Sequence, residues 1–391
     1  MFKKWIGMFT VVSVVMALVV VLGIGCAAPT PTTPTTPAKP TTTPAKPTTP
    51  AVPAGPTYDW NISQPYPEGT LLYATVEDLV ERVAAASDGR ITLTHYPGTL
   101  LGDYTAQQEA IAAGTHDMAF TWPSTAMNPK WDISKLGSIM YNWEDAYAAF
   151  EPGGWNSTLW DGIAEETNWK LLGLNPGGSM NVISNKLFDI TNPGGLKIRV
   201  QSNRVIQARY DALGFNPITM PMSDVASSLA IGTIDASSGC SFAEFKVYGD
   251  AFKYVYAVSE HFSATPGVMN LDLFNSLSAA DQKLLLDAAS GATDAAWEKL
   301  GDDVVKNWNG LLDWQIVVTL DGNRWSALAQ KVRDGEWTAA EALLGTNLVD
   351  LVREHATPLP WGLSLEEMNY GWGILTNDWV INRQGSIVTG P

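Results

Sequence analysis

The sequence predicts an α/β protein whose folded body is built from two similar units. Three observations carry this: strand and helix patterns alternate after Pro56, one helix–Gly–Thr–Asp unit occurs twice, and a long helical pattern follows the second copy. In the first unit, 58–63 reads as a strand, and Leu72, Val76, Leu79, Val80 and Val83 then recur at helical spacing until Asp88-Gly89 interrupts them. Residues 91–94 alternate as a strand, 104–113 form a helix stopped by Gly114, and 116–121 form a third strand. A β-α-β-α-β order with short connections predicts a mostly parallel sheet with helices on its faces.

The repeat lies in Ala110 to Ala119 and Leu229 to Ala236. In both, an Ala/Ile-rich helix stops at Gly-Thr (Gly114-Thr115, Gly232-Thr233) and an Asp follows on the next strand (Asp117, Asp235). Glycine suits the left-handed helix stop, and two copies predict two lobes of similar construction. Between them, 196–200 alternates at period two, with Leu196, Ile198 and Val200 on one face and Lys197 and Arg199 on the other. Asn192-Pro193-Gly194-Gly195 is a turn, and Ser202-Asn203 caps a helix that runs to Leu213 and stops at Gly214. Arg199 is therefore expected at the carboxyl end of a strand, beside a helix N-terminus, where open α/β sheets bind ligands and anions are favoured.

Ser278 with Asp281 three residues on forms a capping box. The helical pattern continues through Leu284, Leu285, Ala288, Ala296, Trp297, Leu300, Val304, Val305, Trp308 and Leu311, although Gly291 and Gly301 weaken it. Such a helix is up to roughly 50 Å long and is expected to lie across both lobes. Residues 314–320 read as a strand, 324–332 and 339–355 as amphipathic helices, and the tail after Pro358 as irregular and Trp-rich.

Lys3 and Lys4 precede an apolar run from Trp5 to Gly25, the pattern of a secretory signal. Gly23-Ile24-Gly25 leads into Cys26, which resembles a bacterial lipobox, so cleavage and lipidation at Cys26 are expected; a retained transmembrane anchor is the alternative. From Ala27 to Pro56 the chain is almost only Thr, Pro, Ala and Lys, a spacer that holds the folded body up to roughly 90 Å from the lipid.

The chain carries 24 Lys+Arg against 40 Asp+Glu, and the acid-free segment 1–56 leaves 20 bases against 40 acids for the remainder. So acidic a body excludes nucleic acid as a partner. Two cysteines make no disulfide framework, and Cys240, beside Gly239, Ser241 and Phe242, reads as a buried inert thiol. His95, His116, His261 and His355 have no metal-ligand spacing; H-E-x-x-H, G-x-S-x-G, Walker A and G-x-G-x-x-G motifs are absent. A tethered chain with no nucleophile constellation reads as a binding protein rather than an enzyme, with no cofactor expected. Two alternatives stay open. The 16 Trp and the Thr/Pro spacer suit a cell-surface carbohydrate-binding lipoprotein, and a pair among the 40 acids would suffice for a glycosidase.

Several short segments stand in one order: 114–123 (Gly-Thr-His-Asp-Met-Ala-Phe-Thr-Trp-Pro), 195–200 (Gly-Leu-Lys-Ile-Arg-Val) and 213–221 with Ser223-Asp224. Gly232-Thr233-Ile234-Asp235 and Val268-Met269-Asn270 with Leu277-Ser278 complete the series. In this ordered set the chain from about Tyr58 to about His355 resembles the extracytoplasmic solute receptors of TRAP transporters, the C4-dicarboxylate-binding receptor family. The resemblance implies a two-lobed periplasmic-binding-protein-like fold: two mostly parallel sheets flanked by helices, joined by crossing strands and a long helix, closing over an organic acid. It implies a signal peptide over 1–25, lipidated Cys26 and linker over 26–56, lobe I over 57–177 plus 265–300, and lobe II over 178–264 plus 301–391. The implied partners are a small organic acid, the membrane subunits of a TRAP transporter, and the membrane itself through the lipid anchor.

The resemblance also makes Arg199 the bidentate clamp on the ligand carboxylate, as guanidinium geometry allows. It makes Asn270 a second polar contact, with Trp122 and Met222 as cleft wall. The sialic-acid branch has a second Arg where Gly178-Ser179-Met180-Asn181 offers Met180, and Ala236-Ser237-Ser238-Gly239 is small and hydroxylated. Asn181 and Ser238 are thus further polar candidates, and a monocarboxylate with an apolar or hydroxylated remainder is favoured over sialic acid or a dicarboxylate. Some branches bind a cation beside the substrate, and the sequence leaves a metal open.

Overall fold

The structure, a computed structural model, describes residues 55–362 apart from 99, 142, 242–244, 249, 312–315, 321 and 360, together with 387–389. The expected signal segment, Cys26, nearly all of the spacer and most of the tail after Pro358 lie outside the described residues. The first unit runs β1 (Tyr58–Gln64), α1 (Leu71–Ala86), β2 (Ile91–Pro97), α2 (Tyr104–Ala112) and β3 (Met118–Phe120). Two helices, α3 (Trp143–Phe150) and α4 (Trp155–Glu166), lead into β4 (Trp169–Ser184), a 16-residue strand. The second unit runs β5 (Lys197–Val200), α5 (Arg204–Leu213), β6 (Asn216–Thr219), α6 (Val225–Ile231) and β7 (Ala236–Ser241). Then follow β8 (Tyr254–Tyr256), β9 (Phe262–Asn270), α7 (Leu271–Ser276), α8 (Ala279–Leu311), β10 (Ile316–Thr319), α9 (Gly322–Val332), α10 (Thr338–Leu344), α11 (Thr346–Arg353) and β11 (Ile387–Thr389).

Within each unit the strands pair in parallel: β1 with β2 and β3, and β5 with β6 and β7. A parallel β8–β10–β11 ribbon extends the second half of the sheet. Every antiparallel pairing involves β4 or β9. The first part of β4 pairs with β9, and from Met180 to Ser184 it pairs with β7 and β8. Just before this change of partners the register on β9 shifts between Pro176 and Gly178, and Gly178 takes φ 82, a conformation open mainly to glycine. One 16-residue strand thus belongs to both halves of the sheet.

The repeat has a structural counterpart. Gly114 and Gly232 are both left-handed, at φ 72 and 75. Asp117 accepts a hydrogen bond from the backbone N–H of Asn61 on β1 at 2.8 Å, and Asp235 accepts one from Lys197 on β5 at 2.9 Å. Each Asp therefore ties the strand that follows it to the neighbouring parallel strand at the same place in the unit.

Around α1, Leu72, Val76, Leu79 and Val83 pack with β1–β3 and with Leu285, Ala288, Ala289 and Ala292 of α8. The capping box forms, with the Asp281 N–H donating to Ser278 Oγ at 3.1 Å, and α8 runs 33 residues through Gly291 without a break. The expected single helix over 339–355 is instead two. Gly345, at φ 88 and ψ 145, separates α10 from α11, and a π-helical turn, Arg333–Trp337, precedes them. Trp131, Trp160 and Trp169 form a buried cluster with ring centroids 5.9 and 6.0 Å apart.

Candidate functional site

The segments that follow the carboxyl ends of β3 and β5 line a narrow cleft. From the first come Trp122, Pro123 and Ser124, with Tyr104 at the start of α2; from the second come Arg199, Gln201, Ser202 and Asn203, with Met222 from the turn after β6. Asn203 is the N-cap of α5 and its Oδ1 accepts from Val205 and Ile206, so the turn that carries the cleft residues is fixed by the helix start. A contiguous hollow adds Tyr66, Gly177, Met180, Gly239, His261, Ser263 and Thr265, and Lys135, Trp122, Gln201 and Met222 line both. The two cavities measure about 20 and 10 Å³, room for roughly one water each.

Arg199 is the expected clamp, and its surroundings suit that role. The side chain is 3% exposed, Nε donates to the Met220 carbonyl at 2.9 Å, and Nη1 is buried with no hydrogen-bond partner among the described residues. Buried donors are almost always paired, which makes this N–H an exception among the described residues. Ser124 Oγ, in the same cavity, is likewise buried and without a partner. No Asp or Glu lines either cavity. Trp122 meets Tyr66 and Tyr104 edge-on at 5.1 and 6.1 Å, giving the cleft one aromatic wall.

Behind the cleft lies a buried ionic cluster. Arg209 donates to Glu336 from Nε at 2.9 Å and from Nη2 at 2.8 Å, to Glu260 Oε2 from Nη1 at 2.8 Å, and to the Lys135 carbonyl. Tyr210 Oη donates to Glu260 Oε2 at 2.6 Å, and the Gly239 N–H donates to Glu260 Oε1 at 2.6 Å. Burial alone would lower the Arg209 pKa, but Glu336 and Glu260 outweigh it and push it up. His261 Nδ1 accepts from Arg209 at 3.2 Å, and burial first, then the charges of Arg209 and Lys135, hold the ring pKa well below 6.5. The cluster thus grips three residues of the cleft wall, Lys135, Gly239 and His261.

A larger hollow, about 480 Å³, lies elsewhere, between α3, α4, β4 and α8. Glu151, Asp161, Asp287 and Asp294 line it, and its one base, Lys170, is bonded to Asp161 at 2.7 Å. Such a lining, with four acids and one paired base, is poorly suited to an acid.

Residues 62–333 match the family described as bacterial extracellular solute-binding protein, family 7. The chain belongs to this family. Its members are solute receptors, and the chain is an extracytoplasmic receptor of the TRAP type. An uncharacterized protein of Haemophilus influenzae is 26% identical over 211 residues, 52% of this chain and 63% of that one, so the match spans less than two thirds of that relative. The 2,3-diketo-L-gulonate-binding periplasmic protein of Escherichia coli is 24% identical over 255 residues, 63% of this chain and 77% of the relative. Among solved structures, the periplasmic ectoine-binding protein from a TRAP transporter of Halomonas elongata superposes with a TM-score of 0.71 at 20% identity. That superposition covers 76% of this chain and 98% of the other, a likeness of fold.

The remaining predicted site residues of the receptor fall in two groups. Trp122 and Met222 line the cleft with Arg199. Asn270 does not: its Nδ2 donates to the Ile111 carbonyl at 2.8 Å and its Oδ1 accepts from Leu273 at 2.9 Å, capping α7. Because β9 runs antiparallel to β3, Asn270 lies beside Asp117 at the amino end of β3, opposite the cleft. Asn181 is buried and used internally, with Nδ2 on the Ser179 carbonyl and Oδ1 on the Ser259 N–H. Ser238 is fully buried in β7, its Oγ without a partner among the described residues; it lines neither cavity itself, although its neighbour Gly239 lines the second. Cys240 is buried and burial pushes its thiol up to about 12, which suits an inert thiol. Among the described residues no group of His, Cys, Asp and Glu is placed to hold a metal. Sequence reasoning missed Lys135, Gln201, Ser124 and His261; Lys135 stands in a Trp-Asp-Ile-Ser-Lys stretch with no motif to mark it.

Proposed function

We propose that the receptor captures a small organic acid in the cleft between β3 and β5, with the carboxylate on Arg199, and delivers it to the membrane subunits of a TRAP transporter. The observation that carries this reading is the buried Arg199 Nη1, which among the described residues has no partner and no carboxylate in the cavity it lines. A ligand carboxylate supplies both the missing acceptor and the missing charge. The relatives named for 2,3-diketo-L-gulonate and ectoine support an acid of this size. Met180 in place of a second Arg supports a monocarboxylate. Because each cavity has room for about one water, the two walls part to admit the ligand and close on it.

Cys26 is the residue we assign to the lipid anchor; metabolic labelling with a fatty acid is then expected to mark the wild-type chain and not a Cys26→Ser chain. The carbohydrate-binding reading rested on tryptophans, and Trp60, Trp131, Trp160, Trp169, Trp325 and Trp337 are core residues.

Intrinsic-fluorescence melting of the full chain in detergent against organic acids, sugars and amino acids tests the proposal. An acid at 100 times its dissociation constant should add about 2.7 kcal/mol to stability. Arg199→Ala should weaken binding by roughly 30-fold to several thousand-fold, about 2–5 kcal/mol. Sugars that stabilise both proteins equally, with no acid effective, would sink it.

A further inference from the structure

We infer that Ser124 is the second residue that binds the ligand's carboxylate: Arg199 holds the group from β5, and the Ser124 hydroxyl holds it from the segment after β3. The inference rests on the receptor reading above and adds a binding residue to it.

Ser124 is 5% exposed and lines the cavity that Arg199 lines. Its Oγ has no hydrogen-bond partner among the described residues, although a hydroxyl can both donate and accept. Such a group is a cost to the folded chain, because water satisfies it in the unfolded one. Its position is nevertheless fixed. Gln108, fully buried on α2, accepts from the Ser124 N–H at 3.1 Å through Oε1, and its Nε2 donates to Thr121 Oγ1 at 3.0 Å and to the Trp122 carbonyl. One buried amide therefore sets the segment 121–124, including the residue whose hydroxyl it leaves unbonded.

Arg199 presents the complementary half. Its Nε donates to the Met220 carbonyl at 2.9 Å, so the fork left for an anion is the Nη1–Nη2 end of the guanidinium. Nη1 is buried and has no partner among the described residues. The residues carrying these two groups line one cavity of about 20 Å³, with room for roughly one water, so the acceptors that satisfy them lie close together on the ligand. A carboxylate carries two acceptor oxygens on one carbon and, when ionised, donates nothing. That matches a pair of donors in a lining without Asp or Glu.

The test joins isothermal titration to ligand-free melting, both on the full chain in detergent. The probes are butyrate, lactate, succinate and galacturonate, each followed further only if it binds the wild type. Ser124→Ala should weaken every such acid by roughly 10- to 100-fold and by similar factors, as expected for a hydrogen bond to a charged group that all of them share. Without ligand, the same variant should melt at the wild-type temperature or above it, because the substitution removes a buried hydroxyl that the free protein leaves unpaired. A hydroxyl kept for folding would behave the other way, so a markedly lower ligand-free melting temperature overturns the inference. A loss confined to lactate and galacturonate also overturns it, since Ser124 would then read the hydroxyl beside the carboxylate instead. If Arg199→Ala abolishes binding while Ser124→Ala loses less than about tenfold, the inference falls and the receptor reading stands. If no acid binds the wild type, both fall.

Discussion

Arg199 and His116 are both buried polar residues, and they respond differently to burial. Arg199 is a guanidinium whose buried Nη1 has no hydrogen-bond partner among the described residues. His116 gives its charge up: burial lowers its pKa to about 4, and Ser63 Oγ lies 2.9 Å from Nε2. Unfolding returns the ring to about 6.5, so between about 6.5 and 4 His116 takes up a proton only when the chain unfolds. His261, held low by burial and two cations, has the same sign. Stability should therefore be flat in these two groups above pH 6.5 and fall as pH drops below it, by at most about 1.4 kcal/mol per pH unit for each. Urea unfolding at pH 7.5, 6 and 5 measures the slope, and His116→Gln should reduce it; an unchanged slope would contradict this origin. Arg199 was legible in sequence because a strand-end position and a K-I-R motif both marked it. Lys135 and Ser124 were not, because only the fold brings the segment after β3 against β5. Asn270 was misplaced because its strand order was known but not its direction: antiparallel pairing sends it to the opposite end of β3.

The elements follow their local signals closely where those signals concern caps. Asn203 and Gly214 bound α5 where the pattern places them, and Gly114 and Gly232 take the left-handed turn that the repeat demands. Residues without such punctuation were less legible. The helices α3 and α4 have 8 and 12 residues and carry too few turns for a clear period, and α10 and α11 merge in the pattern because the residues on either side of Gly345 continue one amphipathic face. Three substitutions test this account. Asn203→Ala should cost about 1 kcal/mol through lost capping. Gly232→Ala, at φ 75 with open space around it, should cost about 1–2 kcal/mol from backbone strain alone. Gly162→Ala, inside α4 with nothing within 4 Å of an added Cβ, should instead stabilise by about 0.8 kcal/mol. Guanidinium unfolding reads all three, and a destabilising Gly162→Ala would mean the helix interior is more crowded than the structure has it.

At the scale of the whole molecule, two buried arginines hold distant segments together through ion pairs, and their positions relative to the cleft separate folding from binding. Arg90, before β2, pairs with Asp281 at the start of α8, at the amino end of the parallel strands. Arg209 pairs with Glu260 and Glu336, joining α5, the β8–β9 connection and the π-helical turn, and its guanidinium lies where a Cβ on Gly137 would come within 2.7 Å. Removing one partner of a buried pair strands the other charge and costs about 3–5 kcal/mol. Arg90→Met and Arg209→Met should therefore both destabilise the protein by amounts in that range or somewhat below. Their effects on ligand differ. The Arg209 cluster holds the Lys135 carbonyl directly, and through Glu260 the Gly239 N–H, so Arg209→Met loosens the cleft wall. At a temperature where both variants remain folded, Arg209→Met should weaken acid binding at least about tenfold, while Arg90→Met should leave it within about twofold, because sites far apart with no shared partner are close to independent. Equal losses of affinity would mean that the cleft senses global stability alone. Unequal losses would mean that the cluster behind the cleft is where folding and recognition are joined.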